Sequence, residues 1–243
     1  MIPRENPIVE RLCHMRCDVI FVSYDEPNGD QNFERLLEFA PDAKRVHGVK
    51  GVMNAHHKAA HLANSDYFFV VDGDNWILDG FRFDAPEAEL SGKYLWFARN
   101  AVNGMDWGNG GIKLLNKANL LAVEDESLDY FVEMKGPPRI IQTAASETRF
   151  NTTPFLAWRC GFKECAKLAG GMFNAGVIEK VLEVWQTVGA DKPNGIWCIL
   201  GSRLGASFGK ANRGSSSLEI INDMDWVKSE FEKCREAVVQ REM

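Results

Sequence analysis

The stretch SDYFFVVDGDNW, residues 65–76, places an unbroken aromatic and β-branched run directly before two aspartates that flank one glycine. Such a run reads as a strand buried on both faces, the kind found in parallel sheets. Asp72 and Asp74 then fall where the strand leaves the sheet, and ligands of open α/β sheets bind beyond such carboxyl ends. Gly73 is read as permitting a tight turn, so that both carboxylates face one crevice instead of opposite sides. Paired carboxylates in that place suit Mg²⁺ or Mn²⁺ held together with nucleotide phosphates. The same residues, DGDN, are also ordinary turn chemistry.

Upstream, the chain alternates. CDVIFVSY (17–24) is a buried-strand candidate followed by the turn residues DEPNGD. Asp30 is placed to cap the helix QNFERLLEFA, in which Phe33, Leu36, Leu37 and Ala40 recur at helical spacing. AKRVHGV is a short second strand, MNAHHKAAHLA a second helix, and DYFFVV the third strand. This alternation predicts an α/β fold with right-handed crossovers. Downstream, KYLWFARNAV is a strand, and GNGGIKLLNKANLLAV a glycine turn, a strand and a short helix. TRFNTTPFLAWRCGFKECAKLAGG is a loop and then a helix closed by Gly170–Gly171. GASFGKANRGSSS is loop-rich, and DMDWVKSEFEKCREAVVQREM is an amphipathic helix.

With 243 residues, 45% hydrophobic and 26% charged, the chain suits one soluble globular domain. No apolar run approaches the roughly 18 residues a membrane span needs, and MIPRENPIVERLCHMRC lacks a signal-peptide core. A cytoplasmic protein with no membrane partner is expected, and its six cysteines do not suggest a disulfide scaffold. The net charge of −6 argues against binding nucleic acid with the whole surface. Charge is uneven, however. Lys135, Arg139, Arg149, Arg159, Lys163 and Lys167 are interrupted only by Glu147 and Glu164, and Arg203, Lys210 and Arg213 by no acid. A local cationic face would attract an anionic substrate.

The segments FVSYDEPNGDQNFERLL, AKRVHGVKG, AHHKAA, FFVVDGDN, GNGGIKLL and FKECAKL resemble phage-encoded glycosyltransferases of the GT-A fold. Among these are TET-associated enzymes that add sugars to 5-hydroxymethylcytosine in DNA. The glycosyltransferase domain of procollagen lysyl hydroxylases is a more distant likeness. The resemblance spans about Asp18 to Trp226 and is most specific between Val19 and Leu115. It implies a GT-A-like (Rossmann-like) mixed, mostly parallel sheet flanked by helices in a single domain. Residues of about 18–115 would bind the nucleotide sugar, and those of about 116–243 would form an acceptor-side elaboration.

The resemblance also implies roles. Asp72 and Asp74 would hold the cation, with Asp74 acting in catalysis. Val22, Ser23, Tyr24 and Asp25 would lie beside the base of a UDP-sugar, with Lys50 and Lys58 near its diphosphate. Gly73, Gly110 and Gly111 would line the donor pocket, with Asp106 or Asn109 on sugar hydroxyls. Each has a plainer alternative: a half-buried tyrosine, solvated lysines, or a glycine turn between strands. His57 and His61 share a helix face but lack the glutamate of a zinc helix, and Cys13 and Cys17 lack a partner pair, so packing is expected for all four.

On the acceptor side Glu164 is the expected base, with Arg159 beside it and Glu147 as second choice. An i,i+3 ion pair of Glu164 with Lys167 is the competing reading. Arg149, Trp158, Lys163, Arg203 and Lys210 are expected to meet the acceptor, with Arg213 in the same flexible loop. Phe150, Phe155, Trp158 and Phe162, interleaved with basic residues, could stack on an extruded base of modified DNA or form core. Every histidine lies at or before His61, so Asn222, Asp223, Asp225 or water would complete the cation shell. Transfer to protein hydroxylysine or polysaccharide, and a non-catalytic nucleotide- or DNA-binding accessory, stay open. A sugar-nucleotide nucleotidyltransferase is disfavoured, because SYDEPNGD is acidic where a triphosphate loop should be basic.

Overall fold

The computed structural model describes residues 17–85, 92–123, 130–171 and 175–242. Strands β1 (Asp18–Ser23), β2 (Lys44–His47) and β3 (Tyr67–Asp72) alternate with helices α1 (Gly29–Phe39) and α2 (Val52–Leu62). There follow β4 (Asn75–Ile77), β5 (Lys93–Asn100), β6 (Asp106–Asn116), α3 (Lys117–Leu121), α4 (Tyr130–Glu133) and β7 (Pro138–Thr148). Helices α5 (Pro154–Gly170), α6 (Ala175–Thr187), α7 (Gly195–Ala211) and α8 (Met224–Glu242) complete the chain, with a 3₁₀ turn at Ser216–Asn222. Cys13 lies outside the described residues. Among the described residues no helix is long and apolar enough to cross a membrane.

The strands form one mixed sheet in the order β2-β1-β3-β6-β5-β7-β4. β1 pairs in parallel with β2 and β3, and β5 with β7, while β6 runs antiparallel to β3 and β5. β3 is buried on both sides, as its composition requires. Phe69 and Val71 join a core with Leu36 of α1, and Phe68 and Val70 join one with Met53, Ala59 and Ala60 of α2.

The sheet must curl. β3 and β4 stand four places apart in the strand order, about 19 Å in a flat sheet. Only Gly73 and Asp74 separate them in sequence, a link of at most about 11 Å. Curling brings the β4–β7 edge back over the end of β3. Ser23, His47, Asp72, Asn100 and Thr148 consequently end their strands along one rim.

Local expectations fail in three places. Asp30 does not cap α1; Asn28 holds the N-cap position without a side-chain capping bond, its Nδ2 donating to the Arg149 carbonyl at 3.0 Å, and Asp30 instead accepts from Arg45 Nη1 at 2.7 Å. GNGGIKLL contains no turn between elements but lies within the single strand β6, whose pairing with β5 shifts register between Trp96 and Ala98. GASFGKA is helix, not loop. A Cβ on Gly201, Gly205 or Gly209 would overlap the carbonyl oxygen of Trp158, Phe162 or Ala166 respectively. Glycine at every fourth position lets α7 lie directly on the α5 backbone, so these residues mark a contact face and not flexibility.

Candidate functional site

The rim is built around the turn that leaves β3. By strand alternation Asp72 follows Phe68 and Val70 onto the α2 side of the sheet. There Lys113 of β6, 6% exposed, places Nζ 2.8 and 3.0 Å from its two carboxylate oxygens. Buried His56 of α2 stands in the same neighbourhood. Its Nδ1 donates to the Val52 carbonyl at 2.8 Å, and burial, then the charge of Lys113, pulls its pKa down to about 4.

Gly73 is required by space. Its φ is not positive, but a Cβ there would stand 2.7 Å from Glu26 Oε2 and 2.8 Å from Ser23 Cβ. Asn32 Nδ2 donates to the Gly73 carbonyl at 2.9 Å. The acid that closes on this turn is therefore Glu26, whose Oε2 accepts from the Tyr24 N–H at 2.7 Å. Asp25 and Tyr24 are exposed, Val22 is half-buried, and Ser23 is buried against His47 Nδ1 at 3.0 Å. The sequence marks DEPNGD as a turn, but only the fold selects which acid faces inward.

Asp74 is half-buried and held by Asn75, whose Nδ2 donates to its Oδ1 at 2.7 Å. Asn75 Oδ1 accepts from Ser146 Oγ at 2.8 Å and from Thr148 Oγ1 at 3.1 Å. A Cβ at Gly111 would overlap this amide. Gly111 thus makes room for Asn75, and Gly110 (φ 76°) sits beside the Lys113 side chain in the irregular part of β6. Burial, then repulsion from Asp72 and Glu26, pushes the Asp74 pKa up to about 7, with Arg159 opposing. An acid this far above its usual range, crowded by two others, is a site for positive charge.

Arginine flanks the turn. The Arg149 N–H donates to the Asp74 carbonyl at 2.7 Å, and its guanidinium lies 4.0 Å from the Trp76 ring centroid with Nε donating to Glu147 Oε1 at 2.7 Å. Arg159, half-buried on α5, adds its charge beside Asp74 and touches Met224 Sδ at 3.9 Å. Asp223 caps α8, accepting from the N–H groups of Asp225 (2.9 Å) and Trp226 (3.1 Å). Cys160, next to Arg159, feels both Glu164 and Asp74 and has its thiol pushed well above the usual range, chiefly by burial.

Other sequence candidates sit elsewhere. Trp158 is fully buried, and Phe150 and Phe162 are 6% and 3% exposed. Trp158 stacks on Phe162 with centroids 4.8 Å apart and meets Phe231 of α8. Trp158 is core, which corrects its reading as an acceptor contact. Glu164 accepts from Lys167 at 2.8 Å, the ion pair given as its competing reading, and Glu147 accepts from Arg149 Nε at 2.7 Å. Asp106 pairs with Arg99 at 2.9 and 3.1 Å. The Asn109 side chain lies outside the described residues.

Lys50 is exposed just after β2. Lys58 lines a groove of about 510 Å³ with Arg45, Val46, His47, His61 and Leu62 at the β2 edge; the lysine that reaches Asp72 is Lys113. His57 packs by a 3.2 Å contact to the Leu120 carbonyl. Arg203 is helical and exposed, its Nε donating to the Gln186 carbonyl at 3.0 Å, and Lys210 lies exposed in the last turn of α7. Arg213 packs against Gly171 at the end of α5.

No known protein family and no curated protein matches the chain. Solved structures match over 51% of it. HddC from Yersinia pseudotuberculosis is 17% identical over 69% of its own length, with a TM-score of 0.34. A glycosyltransferase involved in glycosylation of the major capsid of PBCV-1 is 10% identical over 81%, with a TM-score of 0.31. The inositol-1-phosphate CTP transferase from T. maritima is 17% identical over 64%, with a TM-score of 0.30. Scores this low decide neither fold nor activity, and the assignment rests on the site itself.

Proposed function

We propose that this protein is a GT-A-like glycosyltransferase that moves a sugar from a UDP-sugar to an acceptor hydroxyl, using Mn²⁺ or Mg²⁺. The observation that carries this reading is the approach of Glu26 to the Asp72–Gly73–Asp74 turn, its Oε2 only 2.7 Å from where a Gly73 Cβ would stand; burial and repulsion there lift Asp74 to about 7. Lys113 offsets one of the three charges and Arg159 opposes part of the rest. The residues fit a divalent cation that needs one or two carboxylates and takes its remaining ligands from substrate and water. Among the described residues no group of three or more His, Cys, Asp or Glu side chains is placed to hold a metal ion, so the two aspartates would be its only protein acids. Held by Asp72 and Asp74, the cation would supply charge neutralisation to the departing diphosphate.

The protein's own residues prepare the site. Asn75 fixes the Asp74 carboxyl, Glu26 and Asn32 fix the turn, and Arg149 and Arg159 set positive charge beside it. Such preorganisation is what stabilises charge as it develops during reaction. The acceptor we favour is 5-hydroxymethylcytosine in DNA, supported by the sequence resemblance and by the cationic residues of α5.

Incubation with UDP-sugars, Mn²⁺ and hydroxymethylated DNA tests both levels. The expected result is metal-dependent UDP release together with a hexose mass shift on the modified nucleoside. UDP release without that shift moves the acceptor elsewhere. Absence of UDP release under all metal and donor conditions overturns the transferase reading.

A further inference from the structure

Helix α5 carries Arg159, Lys163 and Lys167 at four-residue intervals, and so on one face. All three are half-buried. Lys167 is neutralised by Glu164 at 2.8 Å. The other two are not: among the described residues neither forms an ion pair, and Arg159 contacts only the Met224 sulfur and, at 5.9 Å, the Phe155 ring. The charges that oppose them, Asp74 for Arg159 and Glu164 for Lys163, act without a direct ion pair, which leaves their N–H donors to an incoming anion. Burial, then the charges of Lys167 and Arg159, pulls the Lys163 pKa down to about 8 against the opposing charge of Glu164. The helix that carries this stripe starts at Pro154, shortly after Arg149, whose N–H donates to the Asp74 carbonyl at 2.7 Å.

We propose that Arg159 and Lys163 form a phosphate-binding pair that continues the Asp74 site along α5. A planar guanidinium and a compact ammonium are the two side chains that take phosphate oxygens, the first by its fork and the second as a point charge. The phosphate can come from the diphosphate of a nucleotide or from the backbone of a nucleic-acid strand. The inference deepens the transferase reading, yet binding alone can test it.

Calorimetric titration of the full chain with UDP plus Mg²⁺, and separately with a single-stranded oligodeoxynucleotide, distinguishes the sources. Lys163→Gln and Arg159→Gln should each weaken one of these ligands by about tenfold or more, the scale of a lost charge-assisted hydrogen bond. Lys163→Arg should keep most of the affinity. Loss in the UDP arm assigns the pair to the donor, and loss in the oligonucleotide arm to the acceptor.

In the unmutated chain the Lys163 titration, followed by NMR among its neighbours Arg159, Cys160, Glu164 and Lys167, should move up when that ligand binds. This readout needs no variant to fold. Wild-type affinity for both ligands in Lys163→Gln overturns the pair, as does a wild-type chain that binds neither. Since no turnover is measured, a failed transferase assay leaves this result standing.

Discussion

Lys113 reaches across from β6 to bridge both carboxylate oxygens of Asp72 at 2.8 and 3.0 Å, tying the strand that ends at the site to its antiparallel neighbour. The lysine is 8% exposed at its side chain and the aspartate 33%, so the pair is half in water. Lys113→Met leaves that carboxylate without its partner and should cost about 2 kcal/mol, below the range for fully buried pairs because water reaches Asp72. The double variant Lys113→Met/Asp72→Asn should recover part of the loss. Urea unfolding of all four species measures the coupling, and simple additivity of the two single effects would show that the bridge contributes nothing.

Asp74→Asn should lower turnover by about a hundred- to a thousandfold, the scale of removing a group that acts on developing charge. Folding should be retained or improved, since the neutral amide relieves repulsion with Asp72 and Glu26. Steady-state UDP release and a thermal melt check the two halves of this prediction. Near-normal turnover in a folded variant contradicts the role assigned to Asp74.

Gly205→Ala opposes two effects. Alanine in a helix gains about 1 kcal/mol over glycine. Here the new methyl would overlap the Phe162 carbonyl oxygen, a backbone atom that cannot swing aside. Overpacking of that kind costs about 1–3 kcal/mol or more, and forcing the helices apart also loosens the core they share. A net fall in melting temperature of several degrees is expected. Exposed Ser207→Ala on the same helix should stay within about 0.5 kcal/mol. Equal melting temperatures for the two variants would refute the close contact.

Asp18 governs acid stability. Burial alone would raise its pKa, but Lys44 and the N–H groups of Ser65 and Asn64 hold it at about 2 against an ordinary 3.8. A carboxylate depressed on folding adds stability that is present above the unfolded value and lost as pH falls through the folded one. The window is therefore about pH 4 down to pH 2, and the contribution, reduced by solvent screening, about 1 kcal/mol. Asp18→Asn should remove it at pH 7 and flatten the acid side of a stability–pH curve. An unchanged acid limb assigns the loss to other carboxylates.

The sequence by itself determined the alternation from β1 to β3 and the position of Asp72 and Asp74 at a strand end. Those features depend on local periodicity and composition: FFVV, aromatic and β-branched between turn residues, favours a strand covered on both faces, and QNFERLLEF repeats its apolar residues at helical spacing. The closure of α5 at Gly171 (φ 92°) was legible for the same reason, since a left-handed residue is a local requirement.

Tertiary structure decided everything that depends on which distant segment arrives alongside. Glycine looks alike in sequence whether it bends the chain or admits a neighbour, so Gly205 and Gly209 suggested a loop until α5 lay against them. Glu26 and Asp25 are adjacent acids, and only the approach of Gly73 fixes which one faces inward. Trp158 and Arg159 are adjacent too, and the position of α8 sends one into the core and leaves the other half-buried against Met224. A local pattern records what a residue can do, and long-range packing fixes what it touches.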